Sequence, residues 1–155
     1  MIYMVCYCSG YELLEIEPES FKITRKLKLG TYSRFSPGAT AIAVDDDNGN
    51  IYIQHAIKDR LYEIDMKSFK LKRTLAGQAH SWGLLLDNKR NVIYISGYLH
   101  GVLSAVDLET GEKIWQVKVG RKPYGLAMHK DELYVHSIAG IIKIDLKKIW
   151  DRELM

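Results

Sequence analysis

The sequence is short of the features that mark several protein classes. It has no run approaching about 18 apolar residues, so no helix long enough to cross a bilayer is expected. Its opening, Met1-Ile2-Tyr3-Met4-Val5-Cys6, has neither a basic start nor a small-residue cleavage site and does not read as a secretory leader. Cysteine is scarce: Cys6 and Cys8 stand two apart. On a strand they share one face, a geometry that favours two thiols in a half-buried strand over a mutual disulfide. Thiols favour a reducing compartment, so a cytoplasmic location is expected, or an extracytoplasmic one if a leader has been trimmed. Charge of one sign is missing as well, with 22 Lys and Arg against 19 Asp and Glu and no basic run. Neither a nucleic-acid nor a membrane partner is therefore expected. The stretch Lys22 to Lys28 alternates basic with apolar residues and reads as the wet face of a strand. Gly-x-Ser-x-Gly, Gly-x-x-x-x-Gly-Lys and His-Glu-x-x-His are all absent, and no catalytic residue, metal or cofactor is expected. Asp45-Asp46-Asp47-Asn48-Gly49 has its acids consecutive rather than alternating, so it reads as a turn and not as a calcium loop.

What the sequence does have is a repeat. An apolar-Tyr-apolar anchor recurs at Ile2-Tyr3-Met4, Ile51-Tyr52-Ile53, Ile93-Tyr94-Ile95 and Leu133-Tyr134-Val135. A second anchor ending in an acid follows each: Leu14 to Glu17, Tyr62 to Asp65, Ser104 to Asp107 and Ile142 to Asp145. A third closes on glycine at Gly30, Gly77 and Gly120, and a fourth is a small-residue segment at Ala41 to Asp45, Gly83 to Asp87 and Gly125 to His129. Phe21-Lys22-Ile23 and Phe69-Lys70-Leu71 match in type. Each anchor is short, rich in Val, Ile, Leu and Tyr, and bounded by Asn, Asp and Gly turn residues, which is the signature of a strand. Four short antiparallel strands repeated every 40 to 50 residues or so make a β-propeller blade, which needs neighbours stacked on both faces. The chain is thus expected to be one all-β domain of about 3.5 to 4 four-stranded blades. The blades fall at residues 1–38, 39–77, 82–120 and 123–155, and form a half-propeller or a small propeller. The tail from Lys147 to Arg152 reads as a short helix or an outer strand.

The segment from Asn91 to Leu146 resembles the YVTN-type and quinoprotein-like propeller repeats. It carries Gly120-Arg121-Lys122-Pro123-Tyr124-Gly125, Leu133-Tyr134-Val135 and Val106-Asp107-Leu108-Glu109-Thr110-Gly111. Ala105 to Trp115 also resembles the tryptophan-docking motif of quinoprotein propellers, departing from it at Glu112. In that family the motif is structural, so the resemblance implies the fold rather than quinone chemistry. It also implies strand phases A to D from the channel outwards. On that phase the chain begins at strand B and ends at or just after strand C. Exposed blade faces are aggregation hazards. A homo-oligomer is therefore expected, a dimer completing a seven- or eight-bladed ring, or else cover by another protein. A small closed monomer and a fragment of a longer propeller are the other arrangements.

The same phase puts the D-to-A and B-to-C loops on one face, where propellers bind ligands. Candidate ligand- or partner-binding residues there are Arg34, Phe35, His55, His80, His100, Arg121 and His136. Arg34 and Phe35 sit in the long loop from Thr31 to Pro37, and the histidines come from separate loops. Trp82, Trp115 and Trp150 read as blade packing. The function expected is a non-catalytic scaffold for protein binding or self-assembly. The rival is a lactonase- or quinoprotein-like enzyme with its site at the channel mouth, which needs the four histidines to converge.

Overall fold

The structure is a computed structural model and describes residues 1–6, 11–30 and 39–153. Strands β1 (Ile2–Cys6), β2 (Tyr11–Ile16) and β3 (Ile23–Gly30) form the first sheet. The second is built from β4 (Ala39–Asp45), β5 (Asn50–His55), β6 (Arg60–Asp65) and β7 (Lys70–Ala76). The third comprises β8 (Ser81–Asp87), β9 (Val92–Gly97), β10 (Val102–Asp107) and β11 (Lys113–Lys118). The fourth holds β12 (Gly125–His129), β13 (Glu132–Ser137) and β14 (Gly140–Asp145). Every sheet is an antiparallel meander in chain order. The tail is a helix, α1 (Leu146–Glu153), where the second and third sheets have an outer strand. The first sheet therefore runs B-C-D, the next two run A-B-C-D, and the last runs A-B-C before the helix.

Apolar residues stand on both surfaces of each sheet, so the core lies between sheets. Tyr11 and Leu13 of the first sheet meet Ile51, Ile53, Ile64 and Phe69 of the second. Tyr52, Leu61 and Leu75 meet Ile93, Ile95, Val106 and Leu108 of the third. Tyr94, Leu103, Ala105 and Trp115 meet Leu133, Val135 and Leu146 of the fourth. The recurrent tyrosine has one job throughout: Tyr3, Tyr52 and Tyr94 each pack toward the following sheet. The inner strands run side by side, β4 against β8 and β8 against β12. A side chain at Gly83 would begin 2.4 Å from the Tyr124 carbonyl oxygen, which is why β8 carries glycine at this position.

One cross-strand pair recurs just before a bulge in three sheets: Glu15 opposite Arg25, Glu63 opposite Arg73, and Ala105 opposite Trp115. In the first two the arginine is a clasp. Arg25 donates to Glu15 and reaches across to the Lys67 carbonyl at 3.0 Å, with its guanidinium 4.4 Å from the Phe69 ring centre. Arg73 binds Glu63 and the Leu108 and Glu109 carbonyls of the next sheet. Where the acid is lost at Ala105, Trp115 replaces the cation and packs against Tyr94 and Trp150.

The helix follows from its own residues. Asp145 caps it by accepting from the Lys148 amide, and Leu146, Ile149 and Trp150 make one apolar stripe. Trp150 donates to the Tyr94 hydroxyl, which donates to buried Asp87. Arg90 spans Asp87 and Asp131, tying the third sheet to the fourth. The basic stretch predicted as a wet strand face is one: Lys26 and Lys28 of β3 are exposed, between half-buried Leu27 and Leu29. Cys6 is half-buried in β1, while Cys8 lies outside the described residues.

Two predictions follow from the clasps. Truncating Arg73 to Ala leaves the buried Glu63 carboxylate with Lys72 alone and should cost about 2 kcal/mol, measured by denaturant unfolding. The Arg25 guanidinium beside Glu15 holds its carboxyl down at about 2, and Lys89 with Arg90 does the same for Asp131. Carboxyls depressed in the folded state contribute stability at neutral pH and lose it as pH falls toward their folded pKa. The melting temperature should therefore fall between about pH 4.5 and pH 2, with a shallower slope in Arg25→Gln.

Candidate binding face

The loops joining β7 to β8, β9 to β10, and β11 to β12 place a mixed aromatic and cationic surface on one side of the sheets. Its centre is Trp82. A bulge in β8 pairs Ser81 with Gly97 and Gly83 with Ser96, leaving Trp82 without an opposite residue and turned to solvent. The side chain is 56% exposed and packs on Tyr98, with ring centres 5.6 Å apart. Lys122 lies over the other part of this pair, its ammonium 5.6 Å from the Tyr98 ring centre. The rings of His80 and His100 stand 5.9 Å apart. Beside them is an open cleft of about 450 Å³ lined by Leu99, His100, Lys118, Arg121 and Lys122. Lys118 is held there by donating to the His100 carbonyl at 2.9 Å. Among the described residues the side chains lining this cleft are basic or apolar.

The surface is carried by a buried polar network. The Gln54 side chain, fully buried, donates to the Gln78 carbonyl at 3.1 Å and to the His55 carbonyl at 2.8 Å. The Gln78 side-chain oxygen accepts from Ser104, Lys113 and Gln116. These bonds fix the loop carrying His80, which sits in the left-handed region at φ 52°.

The predicted residues divide. His80, His100 and Arg121 stand on this face. His136 packs on Tyr124, with tilted rings whose centres are 4.4 Å apart. His55 is buried between Tyr11 and Tyr62, and its Nδ1 accepts from the Ile57 and Lys58 amides. Burial, with Lys58 and Arg60 nearby, pushes its pKa down, so it serves as a neutral acceptor that shapes a turn. Arg34 and Phe35, with the loop from Thr31 to Pro37, lie outside the described residues. Among the described residues no three His, Cys, Asp or Glu side chains gather as metal ligands would. Asp45 accepts from the Asn48 amide and side chain, the geometry of a turn.

Trp82 corrects the sequence reading: Trp115 and Trp150 are packing residues, but Trp82 is not. A signal was present, because Trp82 and Tyr124 both precede the glycine that opens a small-residue segment of the repeat, Gly83 and Gly125. Gln54 and Gln78 were missed because a glutamine at a strand end looks like any wet residue.

With this geometry in view, the comparisons with known proteins bear on the fold. No protein-family model matches the chain, and no curated protein does. Solved structures do. Hydrazine synthase from Kuenenia stuttgartiensis superposes with a TM-score of 0.68 at 18% identity, over 79% of this chain and 36% of that one. The β-propeller domain of Cps50 (Swd1) from Myceliophteria thermophila gives a TM-score of 0.61 at 12% identity, over 70% of this chain and 36% of that one. The fold is that of β-propeller blades, and the chain spans about a third of the length of each of these structures.

Replacing Gln78 with Ala should leave the Gln116 and Ser104 donors without their acceptor. The expected cost is about 1–3 kcal/mol, with faster amide exchange confined to residues 78–81, read by hydrogen-exchange mass spectrometry.

Proposed function

We propose that the chain is a non-catalytic propeller scaffold that works by binding protein, and that the surface around Trp82 takes an acidic peptide segment. The observation that carries this reading is the solvent-facing Trp82–Tyr98 pair with Lys122 over it and His80, His100, Lys118 and Arg121 around it. Flat aromatics give contact area at low entropic cost, and they dominate binding where they are held rigid. Here rigidity comes from the strands and from the Gln54–Gln78 network. The uniform positive character of the cleft selects carboxylates and steers their approach. The resemblance to quinoprotein-like repeats supports the blade only, since its motif residues Ala105, Asp107, Gly111 and Trp115 are spent on packing and on a turn.

A glutamate-rich peptide should change the fluorescence of Trp82, because Trp115 is buried and Trp150 half-buried. Affinity should weaken as salt rises and fall at least tenfold in Trp82→Ala and in Lys122→Ala. Binding unaffected by both substitutions, or none at low salt, refutes the assignment.

A further inference from the structure

The two ends of the stack present surfaces whose counterparts inside it are sealed. On the surface each sheet turns toward the next, the residues just before the second anchor are Leu13, Leu61 and Leu103, all fully buried, while the fourth sheet's equivalent, Ile141, is 73% exposed. On the surface each sheet turns toward the one before, Ile51, Ile53, Ile93, Ile95, Leu133 and Val135 are fully buried. The first sheet's equivalents, Ile2 and Met4, are 42% and 45% exposed. Phe69 and Phe21 share one turn position and the same left-handed backbone, φ 54°. Phe69 is 6% exposed under the Arg25 cation of the preceding sheet, whereas Phe21 is 76% exposed.

Charge matches across the same two ends. Phe21 follows an acidic turn, Glu17-Pro18-Glu19, exposed throughout. The far end carries exposed Lys143, paired with Glu132 of its own sheet, and exposed Lys148, paired with Asp145. A cation beside the phenylalanine, and near the carbonyls of its turn, is what Arg25 supplies to the second sheet.

We infer that the leading surface of one copy (Ile2, Met4, Phe21) packs on the trailing surface of a second copy (Tyr134, Ile141, Lys143), head to tail. Two copies of four sheets each then close a ring of eight. This rests on the reading of the chain as a binding scaffold but uses a different surface from the Trp82 cleft. The junction extends the sheet-on-sheet packing of the chain to its two three-stranded sheets, with β12 and α1 of one copy facing β1 and the acidic turn of the other. Tyr134 is the one repeat tyrosine with no following sheet, and it spends its hydroxyl on Glu132 within its own strand. In the ring it gains the environment of Tyr52 and Tyr94.

The test is sedimentation equilibrium of the whole chain and of two variants, Phe21→Asp and Ile141→Asp, with circular dichroism confirming that both exposed positions tolerate the change. A two-chain particle is expected for the parent. Each variant alone spoils both junctions and should raise the dissociation constant at least tenfold. An equimolar mixture should recover two-chain particles, because one of its two junctions is then intact on both sides. A strict monomer, a particle of more than two chains, or a dimer sensitive to only one substitution overturns the inference. Acidic-peptide binding by Trp82 is measured separately, so a parent chain that stays monomeric yet still binds the peptide refutes this inference alone.

Discussion

A twisted sheet with aliphatic and aromatic residues on both surfaces has two faces to keep from water. No single sheet of this chain can do that for itself, and the rest of the structure answers to that constraint. Neighbouring sheets cover one another with Tyr52, Tyr94 and the leucines at 13, 61 and 103, and the fully buried side chains fall between sheets rather than within them. The inner strands must then approach closely, which fixes Gly83 against the Tyr124 carbonyl. Each sheet also sets the pose of the next through a side chain that crosses the gap: Arg25, Arg73, then Trp115.

The clasps show how one structural position takes different chemistry. A glutamate opposite an arginine needs a buried carboxylate fully bonded, and Glu63 is met by both Lys72 and Arg73. Ala105 opposite Trp115 needs no ions, and the indole covers the neighbour by contact alone. The change coincides with the last junction, where a helix replaces the outer strand and brings Trp150 to meet Trp115. The acid that ends the second anchor is reused in the same way. Asp65 and Asp107 each hold a tight turn, and Asp145 caps α1.

Exposed aromatic and apolar residues stand where this packing leaves residues over. The β8 bulge has one residue more than its partner strand, and that residue, Trp82, is pushed to solvent beside Tyr98. The basic cleft beside it comes from the loop before β12 and from the β9–β10 loop. The ends of the stack are surplus in another sense: Ile2, Met4, Phe21 and Ile141 stay exposed where their counterparts between sheets are buried.

The strands and their order were legible in the sequence, because a period of about two residues sorts side chains to faces and Asn, Asp and Gly mark the turns between, while their phase came from the resemblance to propeller repeats. The anchors ending in Asp65, Asp107 and Asp145 all end a strand where the structure ends it. The tail from Lys147 was ambiguous in the sequence because eight residues carry little periodic signal, and the cap at Asp145 with the pocket for Trp150 resolves it as a helix. The histidines were grouped by loop, yet only His80 and His100 meet, since His55 turns inward to bind its own backbone. Local pattern decides which residues form strands and which way they face. Which side chains stand within reach of one another across sheets, as Trp82 with Tyr98 or Arg73 with Glu109, depends on the stacking angle and on bulges, and only the tertiary structure sets those.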